Sequence, residues 1–280
     1  MKDDIICWWS GGIASAVACK LSIEIFGLDR CRFIMIDTSN EDDDTYRFKE
    51  DCSRWYGKEI ETITSVGKNK KYNSIQDVWF DNLSLNVAHG AICSSELKKN
   101  VRVEFQRKNS YTHQVFGFDD SEPKRARNIK KNYPVARPIF PLLLFMYSKQ
   151  DCLRIVEDAG IEIPLAYKEG YRNNNCQKTG CVQGGVSYWG KIMREQPEKY
   201  AAMAKIEHDI TNLKGQPVTI LKDQSNKAKV SGVFKVFLLP HPDYPDHKDI
   251  THFKERFKNP EPLQECNGFC GIQTSLFNQV

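Results

Sequence analysis

Apolar residues fall into two rhythms through the first 160 residues: short solid runs and stripes at helical spacing. Ile5-Ile6-Cys7-Trp8-Trp9 is five apolar residues in a row, the pattern of a strand buried on both faces of a parallel sheet. It ends at Ser10-Gly11-Gly12-Ile13-Ala14-Ser15, after which Ala14, Val17, Ala18, Leu21 and Ile25 recur at helical spacing until Gly27 stops the run. Residues 31–36 predict a second buried strand with Asp37 at its carboxyl end. Residues 42–56 predict a helix with Tyr46, Phe48, Cys52 and Trp55 as its apolar positions, and 60–66 a short strand. The stretch 67–90 is loose and polar. Ser94 or Ser95 is then placed to cap a helix to about Lys108, and 113–118 reads as a core strand. Ser148 caps a helix through Ala159 that ends at Gly160.

This alternation predicts an α/β fold: an open parallel sheet with helices on both faces. Beyond Ile161 it stops, which puts a soft boundary between a nucleotide-binding domain, 1–160, and a cysteine-bearing segment, 161–280. In the second part the pattern gives a helix over 187–208 broken by Pro197, and short strands at 218–221 and 233–239. Residues 240–262 read as loop plus a short charged helix, with His241 and His247 solvated.

Composition narrows the class. With 27% charged residues and a formal net charge of +4, the chain gives no argument for nucleic acid without a local patch. The most basic stretch is Lys124-Arg125-Ala126-Arg127 with Lys130-Lys131, directly after a strand. It is a solvated face unless it folds back over the crevice, where Arg125 and Arg127 would hold phosphate or sulfate in bidentate fashion. No segment reaches the apolar length of a membrane helix, and the first apolar run is too short for a signal peptide, so a cytoplasmic protein is expected. Ten cysteines in that compartment are core thiols, metal ligands or nucleophiles rather than disulfides.

The glycine turn carries the first chemistry. A strand, a glycine-rich turn and a helix present free backbone N–H groups and the positive end of the helix dipole, a ready anion site to which Ser10 and Ser15 add hydroxyls. Asp37, Thr38 and Asn40 follow a neighbouring strand and face the same crevice, or else serve turns and caps. Cys93, at a helix start, suits thiolate chemistry or metal ligation, or is a small buried apolar residue. Cys176 and Cys181 stand in an Asn- and Gly-containing loop, and Cys266 and Cys270 form a second close pair; with Cys93 they point to a metal or iron–sulfur site.

Taken together, Trp9-Ser10-Gly11-Gly12-Ile13-Ala14-Ser15, Ile36-Asp37-Thr38, Cys93-Ser94-Ser95-Glu96-Leu97-Lys98, Phe116-Gly117-Phe118-Asp119 and Gly170-Tyr171-Arg172-Asn173-Asn174-Asn175-Cys176 resemble the phosphoadenosine phosphosulfate reductase family, in the variant common in bacterial and phage genomes. That family belongs to the PP-loop, adenine nucleotide alpha hydrolase-like superfamily. The resemblance runs from Ile5 to about Asp209, with an echo at 266–271. It implies an adenine nucleotide (ATP or phosphoadenosine phosphosulfate) held by Ser10, Gly11, Gly12, Ser15, Asp37, Thr38 and Gly117. Lys98, Arg125 and Arg127 would neutralise the anion. An iron–sulfur cluster, or alternatively zinc, would sit on Cys93, Cys176, Cys181 and Cys266, leaving Cys270 as nucleophile. Most ATP-using members carry aspartate where Ala14 stands here, and the reductases carry two adjacent cysteines where Ile92-Cys93 stands.

The expected activity is therefore sulfur transfer or sulfonucleotide reduction. The alternatives are ATP-dependent thiolation or other modification of a nucleic acid, and a non-catalytic nucleotide-binding protein with structural zinc. Expected partners are the small nucleotide, a nucleic-acid substrate or a protein thiol reductant, and a second copy of the chain; no membrane is expected.

Overall fold

The computed structural model describes residues 4–87, 90–174, 176–261 and 263. Its centre is a parallel five-stranded sheet of β1 (Ile5–Trp9), β2 (Cys31–Asp37), β3 (Ile60–Thr64), β4 (His113–Val115) and β5 (Pro138–Ile139), in the order β3-β2-β1-β4-β5. All four pairings are parallel. Helices flank the sheet, so the fold is the Rossmann-like open α/β type.

Every residue of β1 is buried, and the two-residue period divides them between faces. Ile5, Cys7 and Trp9 join α1 (Ile13–Phe26), α2 (Asp43–Tyr56) and α6 (Lys149–Asp158) in one core. Ile6 and Trp8 join Phe105 of α4 (Asn100–Lys108) and Ala126 and Ile129 of α5 (Pro123–Asn132) in another. Each such buried aliphatic or aromatic side chain contributes about 1.5–3 kcal/mol. On the second face the one polar tip is matched: the Trp8 indole N–H donates to the Gln114 side chain at 2.8 Å.

Several expectations hold. Helix α1 stops at Gly27, where φ is +85°; α6 begins at Ser148 in a capping box with Asp151; and Pro197 separates α7 (Val186–Glu195) from α8 (Pro197–Lys214). Others are corrected. The loose stretch contains α3 (Ile75–Asp81), capped by Ser74 with Asp77. The helix expected from Ser94 or Ser95 starts earlier, at Ile92, and passes through a π turn at Ser95–Lys99 before α4, so neither serine caps it and Cys93 lies in its first turn. Strand β4 ends at Val115 because Phe116 and Phe118 pack in the second core.

Past residue 160, β6 (Leu221–Lys222), β7 (Lys235–Phe237) and β8 (Lys248–Asp249) make a small mixed sheet in the order β8-β7-β6. A third core joins Trp79, Leu97 and their neighbours to Tyr171, Trp189, Met203 and Val236. Residues from both sides of position 160 thus share one apolar cluster. His241, expected in solvent, is 3% exposed and stacks near Phe237 and His208, with ring centroids 5.1 and 4.5 Å away; the imidazole fills an aromatic pocket in preference to water. His247 is half-buried at the same cluster.

Candidate functional site

The sheet order reverses between β1 and β4, and in open α/β sheets that switch point, beyond the carboxyl ends of the strands, is where ligands bind. Both strands lead there into glycine-bearing segments. Gly11 has φ +86°, and a Cβ on it would lie 2.9 Å from the Thr45 methyl, so shape and backbone both require glycine. Gly117 follows β4; a Cβ there would lie 2.5 Å from the Ser15 backbone. Its role is close approach of the β4 loop to the first turn of α1 through Ala14 and Ser15.

The hydroxyls of the turn are engaged with one another. Ser15 donates to the Gly12 carbonyl at 2.8 Å and accepts both the Ser10 N–H and the Ser10 hydroxyl at 3.0 Å. They brace the turn, leaving backbone N–H groups as its anion donors. Ile13 N–H donates to the Tyr167 hydroxyl at 3.1 Å, so an oxygen already sits at the positive end of α1. Asp37 accepts from the Ser39 N–H (2.7 Å) and the Tyr46 hydroxyl (3.0 Å), and burial together with that carboxylate pushes the Tyr46 phenol up.

The cysteine loop crosses over this turn. The Asn174 amide donates to the Gly11 carbonyl at 2.9 Å and to the Thr45 hydroxyl at 3.1 Å. Asn40 donates to the Cys176 carbonyl, while its own carbonyl and amide oxygens accept the Lys178 N–H and the Thr179 hydroxyl. These bonds tie the loop to residues following β2 and bring Cys176 and Cys181 to Cys93. All three thiols are buried and line one cavity of about 10 Å³, with Thr38 and Lys98 on its wall.

Lys98 and Glu41 form a buried ion pair, Nζ to Oε1 3.8 Å, at 8% and 3% side-chain exposure. Thr38 donates to the same carboxylate at 3.0 Å. Burial pushes the Glu41 carboxyl up, and Lys98 opposes that shift. Lys98 thus stands on the wall of the thiol-lined cavity with Glu41 as its buried ion-pair partner. Two further donors on the wall, the Trp79 indole N–H and the Ser94 hydroxyl, are buried without a hydrogen-bond partner among the described residues. Soft thiol ligands and orphaned donors able to bond a sulfur atom suit a thiolate-bound metal or iron–sulfur group. The space is about the room of one water, too small for a cluster with the side chains as they stand. Among the described residues no three His, Cys, Asp or Glu side chains are gathered closely enough to hold a metal ion. Cys266 and Cys270, expected as ligand and nucleophile, lie outside the described residues.

Other thiols are core residues. Burial pushes the Cys7 thiol well up, and the Cys52 thiol to about 12; a hydrogen bond with Cys7, reinforced by burial, pushes up that of Cys31.

The basic stretch is not part of that cavity's lining. Arg125 pairs with Glu122 at 2.6 Å and lies 4.4 Å over the Phe118 ring, and Arg127 is exposed. A cleft of about 560 Å³, of small-ligand size, does open beside the switch point. It runs between Asp119–Ser121, Lys149 at the start of α6, and Tyr167 and Arg172.

Sequence reasoning assigned no role to Glu41, Thr45, Trp79, Tyr167 or Asn174, although Asn174 stands in one of the motifs of the resemblance. Only Trp79 carried a local signal, Ser74 three residues before Asp77 opening an apolar turn. Among the described residues no helix is long and apolar enough to cross a membrane. The sequence matches no protein-family model and no curated protein.

Proposed function

We propose that this chain is an adenine-nucleotide-binding enzyme of the phosphoadenosine phosphosulfate reductase type, acting on sulfur beside the nucleotide's phosphates. The observation that carries the reading is the gathering of Cys93, Cys176, Cys181 and Lys98 around one cavity, by a loop that also bonds the glycine turn at the switch point. Phosphate oxygens would take the N–H groups of the first turn of α1, with the Tyr167 hydroxyl moving aside from Ile13. Lys98 would stabilise thiolate over thiol within the cavity. A metal or cluster bound there would supply electrons or charge; Cys93, Cys176 and Cys181 would hold it, with Cys266 as the fourth ligand and Cys270 as the nucleophile the resemblance implies.

A second reading, nucleotide binding with a structural zinc, rests on the cavity being too small for a cluster. Anaerobic purification with metal analysis separates the two: a brown protein containing iron and sulfide supports the first, a colourless one containing zinc the second. A panel of ATP, AMP and phosphoadenosine phosphosulfate tests what both share. Gly12→Val, which puts a side chain where phosphate approaches, is expected to weaken nucleotide binding by well over tenfold, about 1.4 kcal/mol or more. Unchanged binding in that variant rejects the glycine turn as the phosphate site.

A further inference from the structure

The basic stretch does not serve the cleft, and its geometry asks for a different ligand. Helix α5 has the sequence Pro-Lys-Arg-Ala-Arg-Asn-Ile-Lys-Lys-Asn, without a carboxylate. Ala126 and Ile129 are buried. At 100° per residue, Lys124, Arg127 and Lys131 point away from that buried side, and Lys130 stands at its edge, 5.8 Å over the Phe140 ring. All four are exposed, and none has an ion pair among the described residues. Lys108 and Lys205, by contrast, each have a carboxylate one turn away in their own helices, Glu104 and Asp209. Like charges left this close repel, so a face of four is tolerated most readily where an anion covers it.

What packs on the same core as α5 narrows the anion. Leu143 packs on the same core as Ala126 and Ile129, and the next residues form an apolar tip: Leu144 is 69% exposed, Phe145 45% and Met146 79%. Met146 has φ +55°, an unfavourable conformation for a residue with a long side chain. The Phe145 ring stacks on Tyr147 at 5.9 Å, and Tyr147 is tied by its carbonyl to the Asp120 N–H, at the mouth of the 560 Å³ cleft. A row of cations at one-turn intervals over about 10 Å, and an exposed ring on a segment that packs on the same core, are the groups that hold a phosphate backbone and stack a base.

We propose that the outer face of α5, with the Phe145 tip, is a docking surface for a single-stranded nucleic acid. The proposal stands on this surface alone: ATP binding can fail while it holds.

Fluorescence anisotropy with a labelled 20-nucleotide single strand, DNA and RNA in turn, tests it on the full chain between 50 and 300 mM salt. Binding is expected at 50 mM, falling with log salt at a slope of about −0.7 per phosphate engaged. The combined variant Lys124→Ala, Lys130→Ala, Lys131→Ala is expected to weaken binding more than tenfold and to make the slope shallower by about two. Its thermal midpoint and ATP binding should stay at wild-type values. Phe145→Ala is expected to cost about tenfold through lost stacking. The proposal is overturned if the wild-type chain binds neither strand at 50 mM, or if the triple variant binds like wild type. It is also overturned if vesicles of anionic lipid compete the oligonucleotide off, which would make the apolar tip a membrane anchor.

Discussion

Lys98 and Glu41 show what a single buried pair commits the surrounding residues to. Removing one partner leaves the other charge in an apolar wall, typically at a cost of about 3–5 kcal/mol. Lys98→Met is expected to destabilise by that amount near pH 8. Glu41 already has its carboxyl pushed up by burial, and without the ammonium the shift grows. A carboxyl raised in the folded state binds more protons folded than unfolded, so stability falls as pH rises above its ordinary value. The loss in Lys98→Met should therefore be smaller at pH 5, and adding Glu41→Gln should recover most of it. Urea unfolding at the two pH values measures both; a pH-independent loss that Glu41→Gln leaves in place contradicts the pairing. None of this was legible in the sequence, where Lys98 stood out only by family resemblance. Ser10, Gly11 and Gly12 were legible because their chemistry is local: a strand end, a positive φ, a helix start. Tyr167 and Asn174 were not, because what makes them matter is a contact 154 or 163 residues away.

The elements divide in the same way. Strands β1 and β2 and helices α1, α2 and α6 follow from run length, helical spacing and caps, all of which the chain carries within a few residues. Helix α3 was missed because the polar residues before it masked a sound capping box. The small sheet was seen as strands, but what joins it to α8 was not. Glu207 of α8 is buried and accepts the Ile220 N–H at 2.9 Å and the Leu238 N–H at 2.7 Å, pinning the start of β6 and the end of β7 to one helix. Burial pushes its carboxyl up to about 8, against those two donors and Lys235. The sign follows as before: Glu207 holds a proton in the fold that it loses in the unfolded chain. Stability should decline as pH rises from about 4.5 to 8, by on the order of a few kcal/mol. Glu207→Gln should flatten that decline, as urea midpoints at pH 5, 6.5 and 8 would show; an unchanged slope assigns the titration to another group.

Across the whole molecule, the expected boundary near residue 160 bears on folding. Trp79 and Leu97 come before it, yet they are buried against Tyr171, Trp189 and Met203, which come after. A fragment ending at residue 160 would expose that apolar face to water and lose the neighbours that cover it. It is expected to bind a hydrophobic dye and to lack a cooperative thermal transition, whereas the full chain unfolds in one step. A fragment with a sharp transition of its own would make residues 1–160 an independent unit.

The Asn174 amide that grips the Gly11 carbonyl also fixes an order of events during synthesis. Those two residues are 163 positions apart, and a ribosome adds about 5–20 residues per second, so roughly ten to thirty seconds separate them. For that interval a nascent chain carries the glycine turn without its cover, and Cys93 without the two thiols that later join it. The glycine turn gains its cover only once the residues around Asn174 have been made.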